Sequence, residues 1–211
     1  MAYDFYLFDL DGTLSDPADG LVNTINYTLE FFGYKPQSKE KISPLIGIPI
    51  DQTYDVLLGD TRQHELRDLV AKYRERYLEE GFRENRIYDG IEDMLSGIKA
   101  FSIPIGICTT RREDIARKIL DHLKMTELFS FISGGDVGVK KEEQIDELIC
   151  KKMIPKKTLM VGDRGSDLIA AHKNRILSAG VLWGYGARNE LEHENPAHIF
   201  LNPQEISELL K

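Results

Sequence analysis

Four acidic residues in two short stretches are the first candidates for chemistry. Asp9 and Asp11 stand in Phe8-Asp9-Leu10-Asp11-Gly12-Thr13-Leu14, and Asp163 and Asp167 in Gly162-Asp163-Arg164-Gly165-Ser166-Asp167. Each stretch leaves an apolar run of strand length, Tyr3–Asp9 and Thr158–Gly162. In open parallel sheets, ligands gather at the carboxyl ends of the strands. Two carboxylates two residues apart on an extended chain point the same way, and Gly12 then permits a turn that other residues resist. Taken alone, Asp-x-Asp-Gly reads equally well as a turn with a helix cap. An EF-hand loop is excluded, because the glycine falls at the fourth position and not the sixth. Taken together, the two strand ends predict a cluster of up to four carboxylates at one sheet edge. Like charges about 4 Å apart repel by roughly 4 kcal/mol at an effective dielectric near 20. Such a cluster calls for a cation or for shifted protonation, and hard oxygen ligands suit Mg²⁺.

Two further segments could meet an anion. The apolar run Ile103–Thr109 ends Cys108-Thr109-Thr110-Arg111-Arg112. A hydroxyl followed by backbone amides at a helix N-terminus is an anion site. Two arginines in a first helical turn oppose the helix dipole, a placement that an anion would compensate. The plainer reading is a threonine cap with solvated arginines. The second segment is Lys140-Lys141, which opens a helix carrying Ile145, Leu148 and Ile149. A lysine there could meet phosphate and carboxylates as a point charge; a solvated pair is the alternative.

The elements that must position these groups follow from the hydrophobic pattern. Strand candidates are Tyr3–Asp9, Ile103–Thr109, Phe129–Ser133, Thr158–Gly162, Ser178–Leu182 and Ile199–Leu201. Several are continuous apolar runs, as in strands covered on both faces. Helical faces lie between them, such as Ile91, Met94, Leu95, Ile98 and Phe101, and Ile115, Ala116, Ile119, Leu120 and Leu123. This βαβα order predicts a parallel α/β sheet. Asn202 as cap and Pro203 at the first position predict a closing helix. Residues 16–85 break the alternation and hold helices with no convincing strand. One helix starts at Asp16-Pro17, as cap and first residue, and stops at Gly33. A longer one starts near Thr61 and ends at Gly81. About 70 residues is far more than a crossover needs, so a helical domain inserted after the first strand is expected.

Composition sets the limits. The 211 residues make one large domain, or a core plus a small insert, at about 150 residues per domain. With 42% hydrophobic and 29% charged residues the chain is neither disordered nor collagen-like. No apolar run approaches the roughly 18 residues of a membrane span. A net charge of −8 argues against a nucleic-acid surface and means that an anionic substrate would need a local cation. Two cysteines, Cys108 and Cys150, are too few for a disulfide framework, and Cys108 reads as core. The N-terminus reads as a strand and not as a secretory signal, so a cytoplasmic setting is expected. The five histidines, His64 among them, show no ligand spacing, Trp183 reads as packing, and no GxxxxGK[ST] loop is present.

In this order, and over nearly the whole chain, the motifs resemble the haloacid dehalogenase-like (HAD-like) hydrolase superfamily. Gly184-Tyr185-Gly186 with Glu190-Leu191 resembles its phosphoglycolate phosphatase group. Asp16-Pro17 with Gly20, Leu45-Ile46-Gly47 and Glu84-Asn85 looks closer to a 5′-nucleotidase-like branch. The resemblance implies an α/β fold, a Rossmann-like parallel-sheet core of residues 1–15 and 86–211 under a mobile, all-helical C1 cap of residues 16–85. It implies a Mg²⁺-dependent phosphatase for a small phosphorylated metabolite, with no nucleic-acid polymer or membrane as partner. Phosphoglycolate-like esters and nucleoside monophosphates are the two substrate classes. By this resemblance Asp9 is the nucleophile that becomes an aspartyl-phosphate, and Asp11 the general acid and then base. Asp9, the Asp11 carbonyl oxygen and Asp163 hold the metal, with Asp167 close by. Thr109 and Lys141 are catalytic and phosphate-binding, and Gly12 and Thr110 complete the phosphate or substrate site. Thr110 stands where asparagine is common. The loop Gly134–Val139 is not the common form and no proline follows Lys141, so Lys140 remains an alternative. The rival of another class is a catalytically silent phosphate-ligand binder on the same fold. The sequence leaves the oligomeric state and the role of Arg111 open.

Overall fold

The computed structural model describes residues 3–59, 65–135 and 139–210. The strands are β1 (Phe5–Phe8), β2 (Ser15–Asp16), β3 (Arg86–Ile87), β4 (Ile105–Arg112), β5 (Ile132–Gly135), β6 (Thr158–Gly162), β7 (Leu177–Val181) and β8 (His198–Phe200). The helices are α1 (Ala18–Phe31), α2 (Lys39–Ile42), α3 (Ile50–Leu58), α4 (Leu66–Glu79), α5 (Ile91–Ala100), α6 (Glu113–His122), α7 (Lys141–Cys150), α8 (Gly165–Lys173), α9 (Arg188–His193) and α10 (Gln204–Glu208).

Six strands form one sheet in the order β5-β4-β1-β6-β7-β8, and every neighbouring pair is parallel. The fold is α/β, a Rossmann-like parallel sheet interrupted by an inserted helical segment. β1 lies at the centre, and all four of its residues are buried. That is why its sequence is a continuous apolar run: helices cover both faces of a parallel sheet. Phe5 and Leu7 share one face with Cys108 and Met160. They pack against Ile145 and Leu148 of α7 and Ala170 and Ala171 of α8. Cutting a fully buried leucine such as Leu7 back to alanine costs about 2–5 kcal/mol, so this layer fixes where the end of β1 sits.

The chain divides into two compact units, Met1–Asp16 with Arg86–Lys211, and Pro17–Asn85. The described part of the second unit is helical. Ile25 and Leu29 of α1 and Leu69, Tyr73 and Tyr77 of α4 are buried there. Within it Asn85 Nδ2 donates to Phe82 O at 3.0 Å and Tyr77 Oη at 3.2 Å, and Arg76 donates to Thr24 Oγ1 at 2.6 Å and Glu84 Oε1 at 3.0 Å. The expected helix start at Thr61 lies outside the described residues.

Three local expectations are corrected. Asp16 is not a helix cap. It belongs to β2, which pairs antiparallel with β3, Ser15 with Ile87 and Asp16 with Arg86, and α1 starts at Ala18 behind Pro17. Arg111 and Arg112 are not in a first helical turn. β4 runs on to Arg112 through a register shift after Thr109, and α6 starts at Glu113-Asp114, whose charges suit a helix N-terminus. At the end of the chain Pro203, not Asn202, occupies the cap position of α10. Among the described residues no helix is long and apolar enough to cross a membrane.

Candidate functional site

The sheet delivers three carboxylates to one place. Asp9 follows β1, with its N–H bonded to Val161 O of β6 at 2.9 Å. Asp163 follows β6, and Asp167 sits in the first turn of α8. One carboxylate oxygen from each lies within 4.8 Å of the others. All three residues are buried, Asp9 at 7% exposure and Asp163 and Asp167 at 1% each. The fourth acid of the predicted cluster turns away. Asp11 Oδ2 accepts from Arg111 Nε at 2.5 Å.

Lys141, at the start of α7, enters the same cluster. Its Nζ lies 2.8 Å from Asp9 Oδ1 and donates a short bond to Asp167 Oδ1. Its neighbour Lys140 is exposed, and the Lys140 N–H is capped by Glu143 at 3.3 Å. Burial alone would lower the Lys141 pKa, but Asp167 and Asp9 outweigh it and hold the ammonium charged.

Three carboxylates, when all are ionised, leave two negative charges against one ammonium in a buried space. The carboxyl groups register this. Burial, then the charges of Asp167 and Asp9, push Asp163 up to about 8. Burial, with Asp9 adding to it, pushes Asp167 up to about 6 against the pull of Lys141. Asp9 Oδ1 is buried and accepts no directed hydrogen bond despite the nearby ammonium. The donor set is all hard oxygen, and the excess charge equals that of one divalent cation, so these residues fit Mg²⁺.

The remaining candidates surround this cluster. Gly12 turns the chain at φ 83°, and a Cβ there would lie 2.2 Å from Asp163 Oδ2. Only glycine allows both the turn and the approach. Thr109 is buried at the end of the inner part of β4, and its Oγ1 accepts the Arg111 N–H at 3.2 Å. That bond uses a lone pair and leaves the hydroxyl proton for a ligand. Thr110 is exposed. Of the loop Gly134–Val139, positions 136–138 lie outside the described residues, as does His64.

The sequence reading missed three supporting groups. Gln144 donates to Thr109 O at 3.1 Å and Ser133 O at 3.4 Å, tying α7 to β4 and β5 one turn after Lys141. Its spacing from Lys141 was visible, but its target was not. Thr13 donates to Asp163 Oδ1 at 3.5 Å. The loop after β7 wraps the end of β6. Trp183 Nε1 donates to Thr13 O at 2.9 Å, the Tyr185 N–H donates to Asp163 Oδ2 at 2.8 Å, and the Tyr185 hydroxyl donates to Asp16. Burial, then the bond to Asp16, raises the Tyr185 pKa and keeps that proton on the phenol. Trp183 thus ties the loop after β7 to the turn after β1.

The arrangement can hold a dianion against a buried carboxylate, with a metal, a lysine and a hydroxyl to compensate. Several known proteins are similar to this chain over nearly its whole length. A 5′-nucleotidase of Pseudomonas aeruginosa is 30% identical over 217 aligned positions, covering 100% of this chain and 97% of that protein. A phosphoglycolate phosphatase of Aquifex aeolicus is 28% identical, with 97% and 95% covered. The crystal structure of a candidate phosphatase from Clostridium difficile superposes with a TM-score of 0.92 at 32% identity, each chain covered in full. The haloacid dehalogenase-like hydrolase family model matches residues 6–181, a span that takes in β4, α7, β6 and α8, all of β1 but Phe5, and Asp9, Asp11, Arg111, Lys141, Asp163 and Asp167. On these grounds the chain belongs to the haloacid dehalogenase-like hydrolase family.

Proposed function

We propose that this hydrolase is a Mg²⁺-dependent phosphomonoesterase acting on a small phosphorylated metabolite through an aspartyl-phosphate. The observation that carries the reading is the buried triad Asp9, Asp163 and Asp167 with Lys141 inserted between two of its members. Asp9, the Asp11 carbonyl oxygen and Asp163 would hold Mg²⁺ with Asp167 beside them, and the ion would offset charge as an anionic phosphate approaches an anionic carboxylate.

The chain's own groups divide the rest of the work. An Asp9 carboxylate oxygen bonds to phosphorus as the ester P–O bond breaks, and Asp11 gives its proton to the leaving oxygen. In the second half Asp11 takes a proton from water, the water oxygen bonds to phosphorus, and the Asp9–phosphorus link breaks to release phosphate. Lys141 keeps Asp9 oriented and offsets its charge. The Thr109 hydroxyl donates to a phosphoryl oxygen, and Gly12 lets the turn after Asp11 close against the Asp163 carboxylate at the phosphate site. Unit 17–85 is where we place the cap.

Two substrate classes have support. Carboxylate-bearing esters such as phosphoglycolate match one set of relatives, and nucleoside 5′-monophosphates match the relative that is 30% identical. The test is phosphate release from both classes, from sugar phosphates and from an aryl phosphate, with Mg²⁺ and with EDTA. Release that needs Mg²⁺ is expected. Asp9→Asn should lose roughly a thousandfold or more of kcat while melting as the wild type does. A folded wild type inactive on every ester would sink this reading and favour a phosphate-binding protein without turnover, and an Asp9→Asn variant with full activity would overturn the aspartyl-phosphate route.

A further inference from the structure

We propose that Arg111 selects substrates whose leaving group carries a carboxylate close to the ester oxygen; the inference rests on the phosphomonoesterase reading above and narrows it. Asp11, the group assigned to the leaving oxygen, must lie within hydrogen-bond reach of that oxygen when it works. Arg111 Nε stands 2.5 Å from Asp11 Oδ2, so the guanidinium borders the place the leaving group must occupy. Both side chains are largely buried, at 14% and 17% exposure, which keeps an ion pair there from being screened away.

The backbone fixes Arg111 to the phosphate end of the site. β4 extends past Thr109 as a strand, and the Arg111 N–H bonds to Thr109 Oγ1, the hydroxyl assigned to the phosphoryl group. One residue thus reaches both ends of the ester that breaks, by its main chain and by its side chain. The neighbouring cations are directed elsewhere: Lys141 stands between Asp9 and Asp167, and Arg112 makes a two-pronged bond to Asp114. In phosphoglycolate a single methylene separates the ester oxygen from the carboxylate. The planar guanidinium matches that carboxylate with paired donors, and the substrate carboxylate replaces Asp11 as its partner. A neutral leaving group, such as a nucleoside, offers the guanidinium no equivalent charge.

The test compares two esters of nearly equal size, 2-phosphoglycolate and 2-hydroxyethyl phosphate, with the full chain in Mg²⁺. The readout is the ratio of their kcat/KM values. The wild type should favour phosphoglycolate by about tenfold or more. Arg111→Gln should reduce that ratio at least tenfold, chiefly through a higher KM for phosphoglycolate, and Arg111→Lys should restore part of it. Melting curves show that each variant is folded. Equal losses on both esters in Arg111→Gln would make Arg111 a support for Asp11 and overturn the selection. So would a wild type that does not discriminate. No turnover of either ester, with none of the wider panel either, overturns the phosphomonoesterase reading and this inference with it.

Discussion

At the scale of single residues, the site is organised by one buried cation among acids. Lys141 touches two carboxylates from different elements, one at the end of β1 and one in α8. Removing it leaves both without their compensating charge. Breaking a buried pair from one side costs about 3–5 kcal/mol, because the other charge stays buried. Lys141→Ala should therefore lower the melting temperature clearly and lose activity. Lys140→Ala, at an exposed cap position, should change stability by no more than about 0.5 kcal/mol and keep its rate. Thermal melts and phosphate-release rates on the two variants check this. The reverse pattern, loss in Lys140→Ala and normal rates in Lys141→Ala, would move the role given to Lys141 to Lys140. Sequence alone leaves the two open because adjacent residues at a helix start differ by only one step around the helix, and the step decides which of them faces the sheet.

At the scale of elements, legibility follows from how much pattern an element carries. β1 and β6 are largely apolar runs followed by an acid, so both the strands and their acid-bearing ends can be read directly. β2 and β3 are two residues each, paired across an insertion, and so short a pairing has no periodicity to detect. The end of β4 misleads for another reason. Thr-Thr-Arg-Arg reads as a helix start, but the strand shifts register and pairs Arg112 with Gly135, a tertiary contact that overrides local preference. The 183–186 loop was legible only as a likeness, because its task, holding Asp163, depends on an approach that sequence does not record. That approach is tight. A Cβ on Gly186 would lie 1.7 Å from Asp163 O. Gly186→Ala must push the loop away and withdraw the Tyr185 N–H from the Asp163 carboxylate. Overpacking of this kind costs about 1–3 kcal/mol, and losing a hydrogen bond that orients a metal ligand costs about tenfold to a hundredfold in metal affinity. Calorimetric titration with Mg²⁺ and a melting curve measure the two effects separately. Wild-type Mg²⁺ affinity in Gly186→Ala would remove the loop from the account of the site.

At the scale of the whole molecule, the chain interrupts one folding unit with another, and the interruption is placed where the first unit tolerates it. Asp16 and Arg86 face each other as partners in the β2–β3 ribbon, so the two ends of the α/β unit at the insertion already stand one strand spacing apart. The sheet, the helices that cover it, and the Asp9, Asp163, Asp167 and Lys141 cluster all belong to residues outside 17–85. A unit with its own sheet and its own core has what it needs to fold alone. Replacing residues 17–85 with Asn-Gly would close the ribbon as a two-residue hairpin, the turn that suits the twist of antiparallel strands. The shortened protein should melt cooperatively, and Mg²⁺ should raise its melting temperature, since all the ligands remain. Its selectivity among esters should fall if unit 17–85 chooses the leaving group, while the preference attributed to Arg111 should persist, because Arg111 and Asp11 both lie in the retained unit. Circular dichroism melts with and without Mg²⁺, followed by the two-ester comparison, separate these outcomes. A shortened chain with no cooperative melt would show that the α/β unit depends on the insert for its stability, and the description of the molecule as two independently built units would fail.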